Sequence, residues 1–184
     1  MPYILYSSRL GRPLARIDAN VTDAVLDDGL LALPCEEGAD PDAAEHWREV
    51  AAAMPEPTPE DLLARAKARK LREINDACDA ALGALTSTYP AHELDTFSKQ
   101  ESEARSWLSD TTVETPFLDA LAAARGLEKE ELVRRVLAKA ELFAVTSGFL
   151  IGQRQRYEDQ LALIQTVDEV EDIVPRYHLP EVQA

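Results

Sequence analysis

The longest periodic segment of the chain, from about Glu128 to Gln165, constrains the fold more than any other feature. Mainly apolar residues recur there at alternating steps of three and four, a spacing that keeps them on one face of an α-helix. Such spacing over this length is typical of a helix that packs lengthwise against another helix. The members of this face, called the 133–164 seam below, are Val133, Val136, Ala140, Phe143, Ser147, Leu150, Arg154, Tyr157, Leu161 and Ile164.

A second helix is predicted from about residue 59 to residue 86. Thr58 supplies a hydroxyl cap, Pro59 suits the first helical position, and acidic residues follow where the helix N-terminus favours them. Its apolar residues also recur at steps of three and four: Leu71, Ile74, Cys78, Ala81 and Leu85. We expect this face to pack against the 133–164 seam of the same chain or of a neighbouring chain.

Three shorter helices are predicted around these two. The first runs from about Glu93 to Leu108, and the second follows the cap at Thr115 and ends at Gly126. The third covers residues 167–174, after a capping box of Thr166 and Glu169. Helices this short are not stable alone, so they must pack on their longer neighbours.

The first third of the chain has a different character. Residues 2–7 and 13–18 predict a β-hairpin, and residues 29–34 predict a further extended piece. A short helix is predicted over residues 42–53, with Asp40 as its cap. Because an isolated hairpin is marginal in water, the strands need a surface from later helices or from the β-structure of another chain.

These elements predict a mainly α fold: a small N-terminal β module followed by an elongated, coiled-coil-like helical hairpin or bundle. We place an N-terminal β/α docking module at residues 1–54 and a stiff proline-rich linker at residues 55–59. The helical domain covers residues 60–174, and a tail covers residues 175–184.

Two glycines interrupt the most helical stretch of the chain. Gly148 and Gly152 are four residues apart and therefore share one side of the helix. Each costs the helix about 1 kcal/mol relative to alanine. We interpret them as the point where another backbone comes close, in a helical hairpin or a multi-chain bundle. The alternative is that they mark a kink or a break.

The remaining composition excludes several functions. A net charge of −15 repels nucleic acid and anionic membranes. The three histidines and the two cysteines lack metal-ligand spacing, and no serine stands in a nucleophile motif. Neighbouring acids are expected from their abundance alone. We therefore predict no enzyme activity, cofactor or metal, and we expect no secretory signal or membrane span.

The helical region resembles tail proteins of tailed bacteriophages. The resemblance covers residues 60–174 and is most specific at residues 115–126, TPFLDALAAARG. It looks like the helical C-terminal domain, of undefined role, of tail-fibre-associated and tail-fibre assembly proteins. This implies a structural or attachment protein of the tail fibre or baseplate, in the virion tail. The alternative is a tail-fibre assembly chaperone in the host cytoplasm.

The resemblance implies docking to tail-fibre or baseplate proteins, and the symmetry of fibres favours a homotrimer. It carries over no catalytic or binding residue. From the seams and the first strand, we predict that protein contacts are made by Tyr3, Leu5, Leu71, Ile74, Val136, Phe143, Gly148, Leu150, Gly152, Tyr157 and Leu161.

Overall fold

A computed structural model describes residues 2–17 and 30–180 of the chain. Its mainly helical architecture with a small N-terminal sheet confirms the predicted fold class. The chain forms two compact units. The sheet unit contains the described residues of Met1–Glu73 and Leu161–Val174, and the helix unit contains those of Ile74–Gln160 and Pro175–Ala184.

The sheet unit begins with three antiparallel strands, β1 (Tyr3–Ser7), β2 (Arg12–Ile17) and β3 (Leu30–Pro34). The order is β2-β1-β3, so both edges of β1 are paired within the chain. The register with β2 shifts between Leu5 and Tyr6, where Pro13 has no N–H to donate. The hairpin and the third strand are confirmed, whereas Gly29 lies outside the described residues.

One face of this sheet packs on α1 (Ala44–Ala53). Ile4, Tyr6 and Leu33 are buried against Trp47, because alternate strand residues point to the same face. The predicted start of this helix was wrong by a few residues. Asp40 does not cap it: its carboxylate accepts from the backbone N–H of Asp42 in a turn, and its carbonyl accepts from Trp47 Nε1 at 2.7 Å.

Two long helices follow, α2 (Pro59–Thr86) and α6 (Lys129–Leu163), close to the predicted bounds. Near Pro59, the Thr58 side chain accepts from the N–H of Asp61 at 3.1 Å, as a hydroxyl cap should. Within the sheet unit, Lys67 Nζ donates to the carbonyl of Ala162 at 3.2 Å. These bonds hold the first half of α2 beside the end of α6.

The short terminal helix α7 (Val167–Glu171) completes the sheet unit. Both reciprocal bonds of the predicted capping box between Thr166 and Glu169 are present, which confirms it. Val170 is fully buried, and Arg69 of α2 forms an ion pair with Glu171. Because the ends of α6 and α7 belong to the same compact unit as the strands, the units divide inside α2 and α6 rather than at the proline-rich residues 55–59.

The helix unit contains α3 (Ala91–Leu94), α4 (Phe97–Ser109) and α5 (Pro116–Arg125). The single helix predicted over residues 93–108 is therefore wrong at its start. Thr96 lies between the two pieces, where its hydroxyl donates to the carbonyl of Glu93 at 2.7 Å and accepts from Gln100 Nε2 at 2.9 Å. Such side-chain bonds compete with continuous helix.

The core of this unit joins α4, α5 and the first turns of α6. Leu118 and Ala122 are buried, and Gly126 ends α5 at a φ of +62°, a left-handed value that suits glycine. Thr115 makes no capping bond with its side chain. The carboxylate of Glu103 on α4 takes that place, since it accepts from the N–H of Leu118 at 3.0 Å.

Candidate protein-docking surface

The middle of α6 carries apolar side chains that the chain itself leaves open to solvent. Leu142 is 62% exposed, Val145 65% and Phe149 40%, and the small side chain of Ala138 is exposed as well. These four residues, called the outer stripe below, follow one another at steps of four, three and four. That spacing places them on one helix face, which is the pattern of a surface made for another helix. The sequence prediction missed this stripe.

Both ends of the outer stripe are held by packing within the helix unit. Upstream, Leu132, Val133 and Leu137 are buried in the core shared with α4 and α5. Lys139 Nζ donates to the hydroxyl of Tyr89 at 3.0 Å, beside the turn that follows α2. The first turns of α6 are therefore fixed to the rest of the unit.

Downstream, an extended segment of residues 175–180, called the C-terminal strap below, lies along α6. The side-chain amide of Gln153 makes two hydrogen bonds with the backbone of His178. Its Nε2 donates to the carbonyl at 2.9 Å, and its Oε1 accepts from the N–H at 3.3 Å. One turn further, the hydroxyl of Tyr157 accepts from the N–H of Arg176 at 3.0 Å and donates to its carbonyl at 3.2 Å. Two side chains of α6 thus satisfy four backbone groups of the strap.

The strap also reaches α2. The hydroxyl of Tyr177 donates to the carbonyl of Ile74 at 2.9 Å, and burial, followed by the nearby Cys78 and Tyr157, raises the pKa of Tyr177 to about 12. Arg154 of α6 donates to the side chain of Asn75 at 3.1 Å. These bonds hold α2, α6 and the strap together, and the His178 ring of the strap also packs against Phe149 of the outer stripe.

The structure divides the eleven predicted contact residues into three groups. Ile74, Leu150 and Leu161 are buried by the chain itself, so they are not free surfaces for a partner. The half-buried group contains Tyr3, Leu5, Leu71, Val136 and Tyr157, and the exposed group contains Phe143, Gly148 and Gly152. Most of the 133–164 seam therefore faces inward, with Phe143, 47% exposed, as an exception.

The two glycines of α6 border the outer stripe. Within the described part of the chain, no atom outside the local helix backbone lies within 4 Å of the point where a Cβ would stand at Gly148 or Gly152. The helix continues through both positions, so the alternative of a break between two helices is wrong. The close crossing of a hairpin is not formed here either. A crossing with another chain stays a prediction.

The polar groups of the described residues do not converge on a reactive site. Across residues 2–17 and 30–180, no group of three or more His, Cys, Asp and Glu side chains is placed to hold a metal ion. Cys78 is buried, and burial raises the pKa of its thiol, which makes it a poor nucleophile. A shallow groove of about 320 Å³ in the sheet unit is lined by uncharged residues: Pro57, Pro59, Leu62, Leu63, Gln165, Thr166 and Val167.

By length and composition alone, α6 could cross a membrane. One window of 18 residues has a mean hydropathy of 1.2, and 22% of that window is buried. A soluble protein's core helix passes the same test when it is mostly buried, which α6 is not. An apolar surface that is this exposed indicates contact with a membrane or with another protein.

Two comparisons with known proteins match parts of the chain. The model of the HI1402 helical domain matches residues 138–175, which include the outer stripe and α7. A protein of Haemophilus influenzae described as "Uncharacterized protein" is 42% identical over 53 residues, which cover 29% of this chain and 78% of that protein. No solved structure matches the chain. The chain therefore belongs to the same family as the Haemophilus influenzae protein.

Proposed function

We propose that the chain is a non-enzymatic structural protein of a bacteriophage tail, which attaches to tail-fibre or baseplate proteins by docking. The observation that carries the docking role is the outer stripe, a row of exposed apolar side chains on a helix whose two ends are held in place. The tail context comes from the resemblance of residues 60–174 to helical domains of phage tail proteins.

Docking explains the surface better than membrane insertion does. Lys139 and Glu141 lie within the apolar middle of α6, three and one residues before Leu142. A membrane span would place both charges in or near hydrocarbon, where each costs on the order of 3 kcal/mol. In a protein interface the same charges stay at a wet rim beside the apolar stripe.

The exposed area is large enough to contribute to binding. Complete burial of a Leu, Val or Phe side chain is worth about 1.5–3 kcal/mol, and roughly half of that remains to be gained at Leu142, Val145 and Phe149. Together they contribute about 3 kcal/mol on docking, which corresponds to roughly a hundredfold in affinity. Apolar side chains of this kind are typical of the fully buried core of an interface.

The proposal is tested by the protein composition of purified tailed particles. We expect mass spectrometry to find the wild-type chain in them, and to find little of a variant with Leu142→Glu and Val145→Glu. The matched control is Leu108→Glu on α4, because Leu108 is 66% exposed and lies outside the stripe. The control variant should enter particles normally.

Two results would contradict the proposal. Intact fibres on particles from a strain that lacks the chain would rule out the structural role. Equal incorporation of the double variant and the control would show that the outer stripe is not part of the docking surface. If the chain is missing from particles but binds fibre subunits in infected cells, the chaperone alternative replaces the structural one.

A further inference from the structure

We infer that the outer stripe pairs with the same stripe of a second copy, so that the two α6 helices run antiparallel around a twofold axis. This inference deepens the proposed function, because it names the first partner of the docking surface. We identify a second copy as the partner from the residues that continue the stripe in both directions. These residues are complementary to one another only when the two helices run in opposite directions.

The spacing of the stripe extends beyond its four apolar members. Continuing at steps of three and four, the same face passes through Arg135 before the stripe, and through Gly152, Arg156 and Asp159 after it. These are the contact positions of a coiled coil whose apolar centre is flanked by charged ends. Residues 135–159 span about 36 Å of helix, or more than three heptads of contact positions.

The side-chain sizes fit an antiparallel pair centred near residue 147. In that register Val145 lies opposite Phe149 of the second copy. Leu142 lies opposite Gly152, so a large side chain meets an open position where the structure leaves room for it. Gly148 then lies beside the axis, where the two backbones come closest. The two glycines destabilise each helix, but in this arrangement they leave room for the facing helix to come close.

The charges favour the same direction. Arg135 lies opposite Asp159 of the second copy, and the twofold axis repeats this opposite-charge pair at the other end. Ala138 lies opposite Arg156, and its short side chain leaves room for the long apolar stem of the arginine. A parallel dimer or trimer would instead place each of Arg135, Arg156 and Asp159 against its own copy, and like charges at contact positions repel.

The pairing leaves the contacts within each chain intact. The Arg135 guanidinium donates to Glu131 through Nε, and its other N–H groups remain able to reach a carboxylate across the interface. Gln153 and Tyr157 hold the C-terminal strap beside this face of α6, where the ring of His178 packs edge-on against Phe149 with the ring centroids 5.6 Å apart. Phe149 stays 40% exposed beside this contact, so its open side remains available to Val145 of the second copy.

Analytical ultracentrifugation of the full chain over a range of concentrations tests the stoichiometry. We expect a monomer–dimer equilibrium whose Kd rises at least tenfold in Val145→Glu and stays unchanged in the control, Leu108→Glu. A chain that stays monomeric at every concentration, or that forms a trimer, would overturn the inference.

A charge exchange tests the direction of the helices. Arg135→Asp alone and Asp159→Arg alone should each weaken the dimer several-fold, because each creates two like-charge contacts. The double variant should recover the wild-type Kd, since it restores both pairs with their signs reversed. A double variant as weak as the single ones would refute the antiparallel arrangement. Circular dichroism on each variant shows whether α6 stays helical.

The two proposals fail in different ways. A monomeric chain that still joins tail particles would overturn the dimer and leave the docking function standing. A dimer with the expected response to charge exchange that is absent from particles, and that binds no fibre subunit, would confirm the pairing and remove the tail function.

Discussion

The carboxylate of Glu103 is the buried polar group whose removal should most affect the helix unit. It is 6% exposed and accepts hydrogen bonds from the N–H of Leu118 at 3.0 Å and of Phe117 at 3.4 Å. Lys99 Nζ lies 3.1 Å from the same carboxylate. Glu103 therefore caps the N-terminus of α5 from a different helix, where a negative charge also meets the positive end of the helix dipole.

The expected loss of stability follows from these contacts. Glu103→Ala leaves the N–H of Leu118 buried without an acceptor, which costs about 1–3 kcal/mol, and loss of the cap falls in the same range. We therefore expect the free energy of unfolding to fall by about 2 kcal/mol. Glu103→Gln keeps an acceptor oxygen but loses the charge, so we expect a smaller loss of about 1 kcal/mol.

The pH dependence separates the charge from the packing. Burial alone would raise the pKa of Glu103, but the bonds from Leu118, Lys99 and Phe117 outweigh it and lower the pKa below its ordinary value. A carboxyl with a lowered pKa stabilises the fold above its unfolded pKa, and this contribution is lost as the pH falls through the folded pKa. The difference between wild type and Glu103→Gln should therefore shrink in acid, below about pH 4.

Urea unfolding followed by tryptophan fluorescence measures this effect. The chain has two tryptophans, and a Trp47→Phe background leaves Trp107, which packs on the core of α4, α5 and α6, as the reporter. The control is Glu101→Gln, whose exposed pair with Arg105 should be worth at most about 0.5 kcal/mol. A Glu103→Gln variant as stable as this control, or a difference independent of pH, would refute the capping role.

Three further predictions concern the strap and the end of α5. Tyr157→Phe removes the acceptor for the N–H of Arg176, so amide hydrogen exchange at that residue should speed up at least several-fold, and unchanged exchange would mean that the strap is held elsewhere. Tyr177 should ionise near pH 12 in a spectrophotometric titration. Because its pKa is raised, its contribution to stability is present below pH 10 and lost as the pH rises through about 12, and Tyr177→Phe should abolish that step. Gly126→Ala forces a side chain into a left-handed conformation at φ +62° and should lower the unfolding free energy by about 1 kcal/mol in urea titrations.

Local signals predicted the long helices well. The start of α2 follows from Thr58 and Pro59, and its N-terminal cap has the expected hydrogen bonds. The capping box before α7 and the left-handed glycine after α5 are likewise encoded in a few adjacent residues. Signals of this kind act over one helical turn, so they can be recognised without knowledge of the fold.

Interactions between distant parts of the sequence were not predictable in this way. Glu103 and Leu118 are separated by 15 residues, and nothing in the sequence around Glu103 distinguishes it from the many exposed acids of this chain. Thr115 looked like the cap of α5 because its residue type suits that role, whereas the fold supplies a charged acceptor from α4 instead. The strap contacts of Gln153 and Tyr157 also depend on residues far along the chain.

The outer stripe was missed for a different reason, which bears on its role. The middle of α6 is apolar on two faces, so a search for one periodic seam finds the buried face and overlooks the exposed one. One chain buries Leu150 and leaves Leu142 and Val145 mostly exposed. A helix that needed only one apolar face to fold would be more stable in water with polar residues on the other. The second face is therefore best explained by a contact beyond the single chain.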